Sequence, residues 1–306
     1  MRLHVVLGSH AHTAAVQNGT VKPAIADLQF EELSAPLPAY FRRMVRDQAF
    51  DVCEMGITTY FAARKYGAPL VALPVFPSFM YPFTHIKGNT AAGITVPGDL
   101  AGRQVGARTH TVTTVVWARG LLGDLFGVDP AGVTWVINDY EHTKEFAWPG
   151  NVEFREGADL SALIEAGELA GGVGVYRGSS PDVRPLFPDL PAAELDCYQR
   201  TGINPANHAL VVREELLTSA PDLIADVYQT FVKAKELFLR DLDATGPGSS
   251  EAADFARRRA FMGPDPVPCG IADNAAALDA LIRYSKQQAI LPESAALEDL
   301  FYEPGS

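Results

Sequence analysis

The sequence predicts an α/β protein built from two α/β halves and a mainly helical C-terminal region. Short apolar runs alternate with helical patterns through the first two thirds of the chain, as parallel sheets with connecting helices require. After residue 206 most segments show helical periodicity. The length of 306 residues is enough for one large domain or two lobes, each with its own core.

The first half begins with five segments that alternate in type. Short apolar runs read as strands, and the amphipathic segments between them read as helices. In order they are the strand RLHVVLG, the helix AYFRRMVRD, the strand FDVCEMG, the helix TTYFAARKYG and the strand PLVALPVF. Gly67 is expected to end the second of these helices.

The second half repeats this alternation before the helical region begins. A turn at GDLAGRQVGA leads into a strand, and Thr109 or Thr111 is expected to cap the helix that follows. The remaining predicted elements are the helix TVTTVVWARGLLGDLFG, the strand VTWVIND, the helix DLSALIEAGEL, the strand AGGVGVY, and three C-terminal helices in APDLIADVYQTFVKAKELFLRDL, SSEAADFARRRAFM and NAAALDALIRYSKQQ.

Charge and composition exclude several classes of partner. The formal net charge is −12, and without a Lys/Arg run this field disfavours nucleic acid and anionic membrane surfaces. No apolar stretch approaches the length of a membrane span, and MRLHVVLGSH lacks the pattern of a signal peptide. Three cysteines without C-x-x-C spacing predict neither a disulfide framework nor a thiolate zinc site. We therefore expect a cytoplasmic protein.

Six segments, in order and spread through nearly the whole chain, resemble the 4,5-dihydroxyphthalate decarboxylase family. They are DVCEMGITTYFAARKYG, LVALPVFPS, DLAGRQVGA, VVWARGLLGDLFGVDP, TGINPANHALVVREEL and YSKQQ. The resemblance implies a type II periplasmic-binding-protein-like fold, with residues 1–95 and 206–306 in lobe 1, 96–205 in lobe 2, and the ligand in a cleft. It also implies an enzyme that removes CO2 from a hydroxylated aromatic acid such as 4,5-dihydroxyphthalate without an organic cofactor.

Two loops depart from the family pattern. The first loop of the family reads Gly-Asp-Tyr-Asp-Arg-Thr, whereas this chain has GSHAHT with His12 at the place of the arginine. After FPS the family carries arginines before a histidine, whereas FMYPFTH keeps only His85. Arginine is the natural bidentate partner of a carboxylate, so the substrate need not be 4,5-dihydroxyphthalate itself.

Four residues are the candidate catalytic groups: His10, His12, Glu54 and His208. His10 and His12 follow the first strand, where residues two apart point to one side. They are plain loop histidines, acid/base or substrate-binding groups, or ligands of a divalent metal together with Glu54 and His208. Glu54 either caps the next helix or is a buried carboxyl with a raised pKa that donates a proton. His208 is either a core histidine or catalytic.

Nine further residues are candidates for substrate binding. Helix N-termini and threonine hydroxyls favour anions, and an aromatic cluster either forms core or walls an aromatic ring. The nine residues are Thr58, Phe76, Phe79, His85, His110, Thr111, Thr113, Thr114 and Asn204.

The sequence thus predicts a lyase for a small aromatic carboxylate, either without any cofactor or assisted by a divalent metal. The mechanism expected is protonation of the ring carbon that bears the carboxylate, followed by loss of CO2. A solute-binding protein for a small aromatic or carboxylate ligand, or another lyase on the same scaffold, is the alternative. Self-association into a homo-oligomer is left open.

Overall fold

The computed structural model describes residues 1–305 and divides the chain into two compact units. Unit 1 comprises residues 1–79, 206–278 and 296–305, and unit 2 comprises residues 80–205 and 279–295. The sequence-based division differs in two places, because 80–95 and 279–295 belong to unit 2. The first difference has a clear cause, since a strand within 80–95 hydrogen bonds into the second sheet.

Eleven strands and ten α-helices form the described part of the chain. The strands are β1 (Arg2–Val6), β2 (Asp27–Phe30), β3 (Val52–Gly56), β4 (Leu70–Phe79), β5 (Ile86–Asn89), β6 (Gln104–Ala107), β7 (Thr134–Ile137), β8 (Val152–Phe154), β9 (Gly171–Val173), β10 (Val183–Pro185) and β11 (Ala206–Arg213). The helices are α1 (Ala14–Gln17), α2 (Leu37–Asp47), α3 (Ile57–Lys65), α4 (Thr113–Phe126), α5 (Leu160–Glu165), α6 (Leu190–Thr201), α7 (Glu215–Ser219), α8 (Pro221–Thr245), α9 (Ser250–Met262) and α10 (Ala275–Gln287). Short 3₁₀ turns lie at Pro82–His85, Thr90–Ala92, Pro97–Leu100, Pro130–Gly132, Ala272–Asn274 and Leu297–Asp299.

Unit 1 is built on a five-stranded sheet in the order β2-β1-β3-β11-β4. β1 pairs parallel with β2 and β3, whereas β11 runs antiparallel between β3 and β4. Side chains such as Val5, Val52 and Leu210 pack against Ile224 and Phe231 of α8 in one apolar core. Burial of this apolar surface supplies the main driving force for folding of the unit.

Unit 2 is built on a six-stranded sheet in the order β10-β5-β9-β6-β7-β8. β6 pairs parallel with β7 and β9, and β7 with β8, while β5 runs antiparallel to β9 and β10. Both sheets are therefore mixed, whereas the sequence predicts parallel strands. In unit 1 the antiparallel strand is β11, which re-enters the sheet late in the chain, and in unit 2 it is β5, the first strand of its sheet.

The predicted α/β fold with two sheets and surrounding helices is confirmed, and the predicted elements are found in their predicted order. The sequence analysis missed the strands β2, β5, β8, β10 and β11 and the helices α1, α6 and α7. β2, for example, is a half-exposed edge strand whose polar residues give no apolar run. The helix at residue 113 begins with Val112 rather than with a threonine side-chain cap. None of the helices described in residues 1–305 has the length and apolarity needed to span a membrane.

Candidate functional site

A fully buried carboxylate in unit 1 joins two histidines from distant parts of the chain. Glu54 accepts hydrogen bonds from the backbone N–H of Gly8 at 2.6 Å and from Nδ1 of His208 at 2.6 Å. Nε2 of His10 lies 2.9 and 3.0 Å from its two oxygens. The structure thus brings together three of the four predicted catalytic residues, His10, Glu54 and His208, which we call the Glu54 cluster.

The sheet topology explains this convergence. β1 and β3 are parallel neighbours, and Val6, the last residue of β1, pairs with Cys53, so the loop that leaves β1 begins beside Glu54. β11 runs antiparallel to β3 and pairs His208 with Gly56. Gly8 is needed at the close approach, because a Cβ there would lie 3.0 Å from Oε2 of Glu54 and from Nε2 of His10.

Glu54 is held ionised. Burial favours the neutral acid, but the hydrogen bonds from His10 and His208 overcome it and keep the pKa of Glu54 well below its ordinary value. The sequence analysis allowed Glu54 to cap α3 or to be an acid with a raised pKa. The structure differs from both, because Gly56 precedes α3 without a side-chain cap and the pKa is lowered. A carboxylate in this state accepts hydrogen bonds and stabilises positive charge.

His10 is placed between two carboxylates. Its Nε2 faces Glu54, and its Nδ1 lies 3.6 Å from Oε1 of Glu251. Burial lowers the pKa of His10, but the interactions with Glu251 and Glu54 outweigh burial and raise it to about 9. Both ring nitrogens are engaged, so we interpret His10 as a fixed imidazolium that neutralises the two acids.

His12 has the opposite electrostatic character. The ring is buried and its Nε2 donates to the carbonyl oxygen of Phe76 at 3.1 Å. Burial and the neighbouring charge of His10 lower its pKa to about 4, so the ring is neutral at pH 7. The rings of Phe238 and Phe255 pack edge-on against it.

Of the three histidines near Glu54, His208 combines a carboxylate partner with the greatest access to solvent. Its Nδ1 donates to Glu54, its ring packs edge-on against Phe41, and a quarter of its side chain is exposed. No residue in the range 1–305 hydrogen bonds with its Nε2. A carboxylate behind one ring nitrogen fixes the tautomer and leaves the other nitrogen able to exchange protons.

The donor set of this cluster does not fit a metal ion. Within residues 1–305 no group of three or more His, Cys, Asp or Glu side chains is arranged to hold one. Nδ1 of His208 and Nε2 of His10 lie at hydrogen-bond distance from the same oxygen of Glu54. These two nitrogens therefore direct N–H protons at the carboxylate and do not direct lone pairs at a common metal position.

In unit 2 the predicted anion site at the start of α4 is taken by a side chain of the protein. Glu141 accepts hydrogen bonds from the backbone N–H of His110 at 2.6 Å, from the N–H and hydroxyl of Thr111, and from Nε1 of Trp148. Nε2 of His110 lies 2.8 Å from the carbonyl oxygen of Gln288. The donors expected to hold a substrate carboxylate are thus engaged, and their role in substrate binding stays a prediction.

The other predicted substrate-binding residues are distributed over both units, and several of them are buried. Phe76 and Phe79 are buried within β4 and pack against each other, as expected for core. His85 belongs to unit 2, with Nε2 3.1 Å from the sulfur of Met80. The remaining four are buried, or nearly so: Thr58 in unit 1, and Thr113, Thr114 and Asn204 in unit 2.

Two carboxylates at these sites were missed from the sequence. Glu251 lies in the first turn of α9, and its Oε2 accepts from the N–H of Ala11 at 2.7 Å. Glu141 lies in a charged stretch that reads as surface. The Ser-Ser-Glu pattern predicts a helix start, but no local signal shows a partner 240 residues away.

Sequence comparison identifies relatives over the length of the chain. A 4,5-dihydroxyphthalate decarboxylase from Comamonas testosteroni is 27% identical over 322 aligned positions, covering 99% of this chain and 96% of the relative. A protein of the same name from Pseudomonas putida is 28% identical over 213 positions, covering 65% of this chain and 82% of the relative. No protein-family model matches the chain. The resemblance stated from the sequence motifs is confirmed.

Structural comparison supports the fold. The aliphatic sulphonate binding protein SsuA from Escherichia coli matches with a TM-score of 0.54 at 15% identity, covering 99% of this chain and 92% of SsuA. SsuA from Xanthomonas axonopodis pv. citri, bound to MOPS, also has a TM-score of 0.54, at 12% identity. The predicted type II periplasmic-binding-protein-like fold is therefore confirmed.

Proposed function

Because the chain resembles 4,5-dihydroxyphthalate decarboxylases from end to end, we propose that it is a decarboxylase of a hydroxylated aromatic carboxylate such as 4,5-dihydroxyphthalate. The observation that carries the proposal is the Glu54–His208 pair, in which a buried carboxylate orients an imidazole whose Nε2 has no hydrogen-bond partner among residues 1–305. The proposal includes no organic cofactor.

His208 is the group that moves the proton. Its Nε2 accepts the proton of a substrate hydroxyl, which makes the ring electron-rich at the carbon that bears the carboxylate. The imidazolium then donates this proton to that carbon. The C–CO2 bond breaks, its electron pair returns to the ring, and CO2 leaves, so that one proton replaces one CO2.

Glu54 and its neighbours support this transfer electrostatically. The Glu54 carboxylate stabilises the imidazolium form of His208 when the proton is held there. His10 and Gly8 donate to the same carboxylate and fix its position. Their pre-set geometry means that little reorganisation is needed during the reaction. His12 is neutral and buried, which suits a packing role better than proton transfer.

The direct test is release of CO2 from 4,5-dihydroxyphthalate by the purified protein, with and without added divalent metal. We expect release by the wild-type protein and a loss of at least about 100-fold in His208→Ala, since general acid–base catalysis contributes that much. Unaltered release in a folded His208→Ala protein would remove His208 from the mechanism. Release that depends on added metal would support the metal-assisted alternative.

A solute-binding protein is the second candidate function. The SsuA neighbours are binding proteins with this fold, which is the observation that favours it. In that case phthalate or 4,5-dihydroxyphthalate binds but no CO2 is released and the ligand is recovered unchanged. Turnover of 4,5-dihydroxyphthalate with another product would instead indicate another lyase on this scaffold.

We also propose that the protein acts in the cytoplasm. Cys53, Cys197 and Cys269 are all free thiols, as is usual in a reducing compartment. Fractionation of the native host with an antibody to the protein tests this, and recovery in the periplasmic fraction would contradict it. Light scattering of the purified protein decides between a monomer and a homo-oligomer.

A further inference from the structure

Unit 2 contains a pocket at the carboxyl ends of its parallel strands. Its volume is about 640 Å³, a size usual for small-molecule sites. Arg108 follows β6, Asn138 follows β7 and Gly174 follows β9, and all three line the pocket. Ligands of α/β folds bind at this edge of the sheet because loops there can vary without disturbing the core.

The acidic side chains in the pocket wall are engaged by the protein itself. Oδ1 of Asp159 accepts the backbone N–H of Ala162 at 3.0 Å and caps α5. Oε1 of Glu165 accepts the hydroxyl of Tyr176 at 2.7 Å and the N–H of Ser180 at 3.3 Å. The carboxylate lone pairs of Asp159 and Glu165 are thus partly used. Neither residue forms an ion pair with an arginine among the described residues.

The two arginines of the pocket form no ion pair with a carboxylate among residues 1–305. Within residues 1–305 the Arg108 guanidinium forms no hydrogen bond or ion pair, although the residue is half-buried. Arg177 donates from one nitrogen to the carbonyl oxygen of Tyr176 at 3.1 Å and pairs with no carboxylate in the described part of the chain. Most guanidinium donors in the pocket are therefore available, and they match the planar fork of a carboxylate.

The loop that carries Arg177 is held in place. The hydroxyl oxygen of Ser161 accepts the N–H groups of Arg177 at 3.0 Å and Gly178 at 3.1 Å. A Cβ at Gly178 would lie 2.0 Å from Oε1 of Glu165, so glycine permits this close packing. The backbone next to Arg177 is therefore fixed before a ligand arrives, which reduces the entropy lost on binding.

We infer that this pocket is a carboxylate-binding site for a small aromatic acid, with Arg108 and Arg177 as its binding residues. Besides the arginines, Ala158, Leu160 and Val175 give the wall an apolar part against which a ring can pack. The choice of an aromatic acid rests on the proposed function, whereas the preference for a carboxylate rests on the pocket alone.

Calorimetric titration of the full chain with phthalate, which lacks the hydroxyls needed for the proposed reaction, tests the inference. We expect Arg177→Gln and Arg108→Gln each to weaken phthalate binding about 10-fold or more, as loss of a charge-assisted bond predicts. Catechol, which has no carboxylate, should lose no affinity in either variant. Arg184→Gln is the matched control, because Arg184 lies on exposed β10 of the same unit outside the pocket.

Phthalate affinity equal to wild type in the folded Arg108→Gln/Arg177→Gln double variant would overturn the inference. CO2 release from 4,5-dihydroxyphthalate, measured on the same proteins, separates the two proposals. Arginine-dependent phthalate binding without CO2 release by the wild type would sustain the pocket and reject the decarboxylase. CO2 release by the wild type, together with phthalate affinity that does not change in the double variant, would reject the pocket and sustain the decarboxylase.

Discussion

Single residues decide the chemistry of the Glu54 cluster, and their roles follow from their hydrogen bonds. His10, His12 and His208 have the same side chain but different surroundings: two carboxylates for His10, a carbonyl oxygen and phenyl rings for His12, and one carboxylate with solvent access for His208. The residue type, which is all that the sequence provides, does not distinguish them.

The first prediction concerns His208. Replacing it by Gln should lower kcat for CO2 release by about 100-fold or more, because the amide cannot carry the proton. The melting temperature of the variant is measured alongside, because His208 also donates to the buried Glu54 carboxylate. His4→Gln is the control, as His4 is a half-exposed histidine that also faces a carboxylate, Glu31, at 2.7 Å. An equal loss of kcat in both variants would argue against a specific role for His208.

A second prediction concerns Glu251. Changing it to Gln removes one of the two carboxylates beside His10, so the pKa of His10 should fall from about 9 towards 6.5. A titration of the imidazole resonances by NMR measures this pKa directly. Asp254→Asn on the same helix is the control, because Asp254 pairs with Arg257. If the pKa of His10 stays near 9 in Glu251→Gln, Glu251 does not hold its charge.

At the scale of elements, close packing of α4 against α10 depends on one glycine of α4, Gly120. A Cβ at Gly120 would lie 2.2 Å from the ring of Tyr284 on α10, whereas the nearest atom to a Cβ at Gly123 lies 3.5 Å away. The ring therefore rests against the helix where a side chain is missing. The sequence pattern alone predicts a helix with tolerated glycines and gives no indication that they differ.

A third prediction uses this difference. Gly120→Ala should lower the free energy of unfolding by about 1–3 kcal/mol, because overpacking displaces a buried ring. Gly123→Ala, three residues on in the same helix, should be neutral or stabilise by up to about 1 kcal/mol through its better helix propensity. Urea unfolding of both variants measures the two values. Equal effects would mean that α10 moves freely to accommodate the methyl group.

The arrangement of strands also explains why the predicted anion site at the start of α4 is occupied by a side chain of the protein. The sequence correctly placed a helix start near residue 111, where N–H groups lack intrahelical partners. Glu141, thirty residues later, reaches those groups because β6 and β7 are parallel neighbours and both of their following loops lie at one edge of the sheet. The helix is a local property, whereas the carboxylate that fills its start depends on strand pairing.

For the whole molecule, the two oppositely shifted histidines predict a maximum of stability near neutral pH. Between about 6.5 and 9 the folded state binds the extra proton through His10, so stability falls as pH rises. Between about 6.5 and 4 the unfolded chain binds the extra proton at His12, so stability falls as pH falls. The free energy of unfolding should therefore be greatest near pH 6.5.

Urea unfolding at intervals from pH 5 to pH 9 checks this fourth prediction. His4→Gln should keep the same pH profile, since the exposed ring of His4 lies outside the cluster. In Glu251→Gln the decline above pH 6.5 should become shallower, because His10 loses one of its two carboxylates. A wild-type protein at least as stable at pH 9 as at pH 6.5 would contradict the raised pKa of His10.

The sequence by itself determined the α/β class, the order of most elements and the resemblance to the decarboxylases, because hydrophobic periodicity and local motifs are properties of neighbouring residues. It also selected His10, Glu54 and His208 as candidates. Only the tertiary structure decided that Glu54 is a carboxylate with two histidine partners, that Glu251 and Glu141 join two hydrogen-bonded clusters, and that Arg108 and Arg177 share a pocket. The physical reason is that protonation state and binding geometry depend on burial and on partners separated by up to 240 residues, which strand pairing and packing bring together.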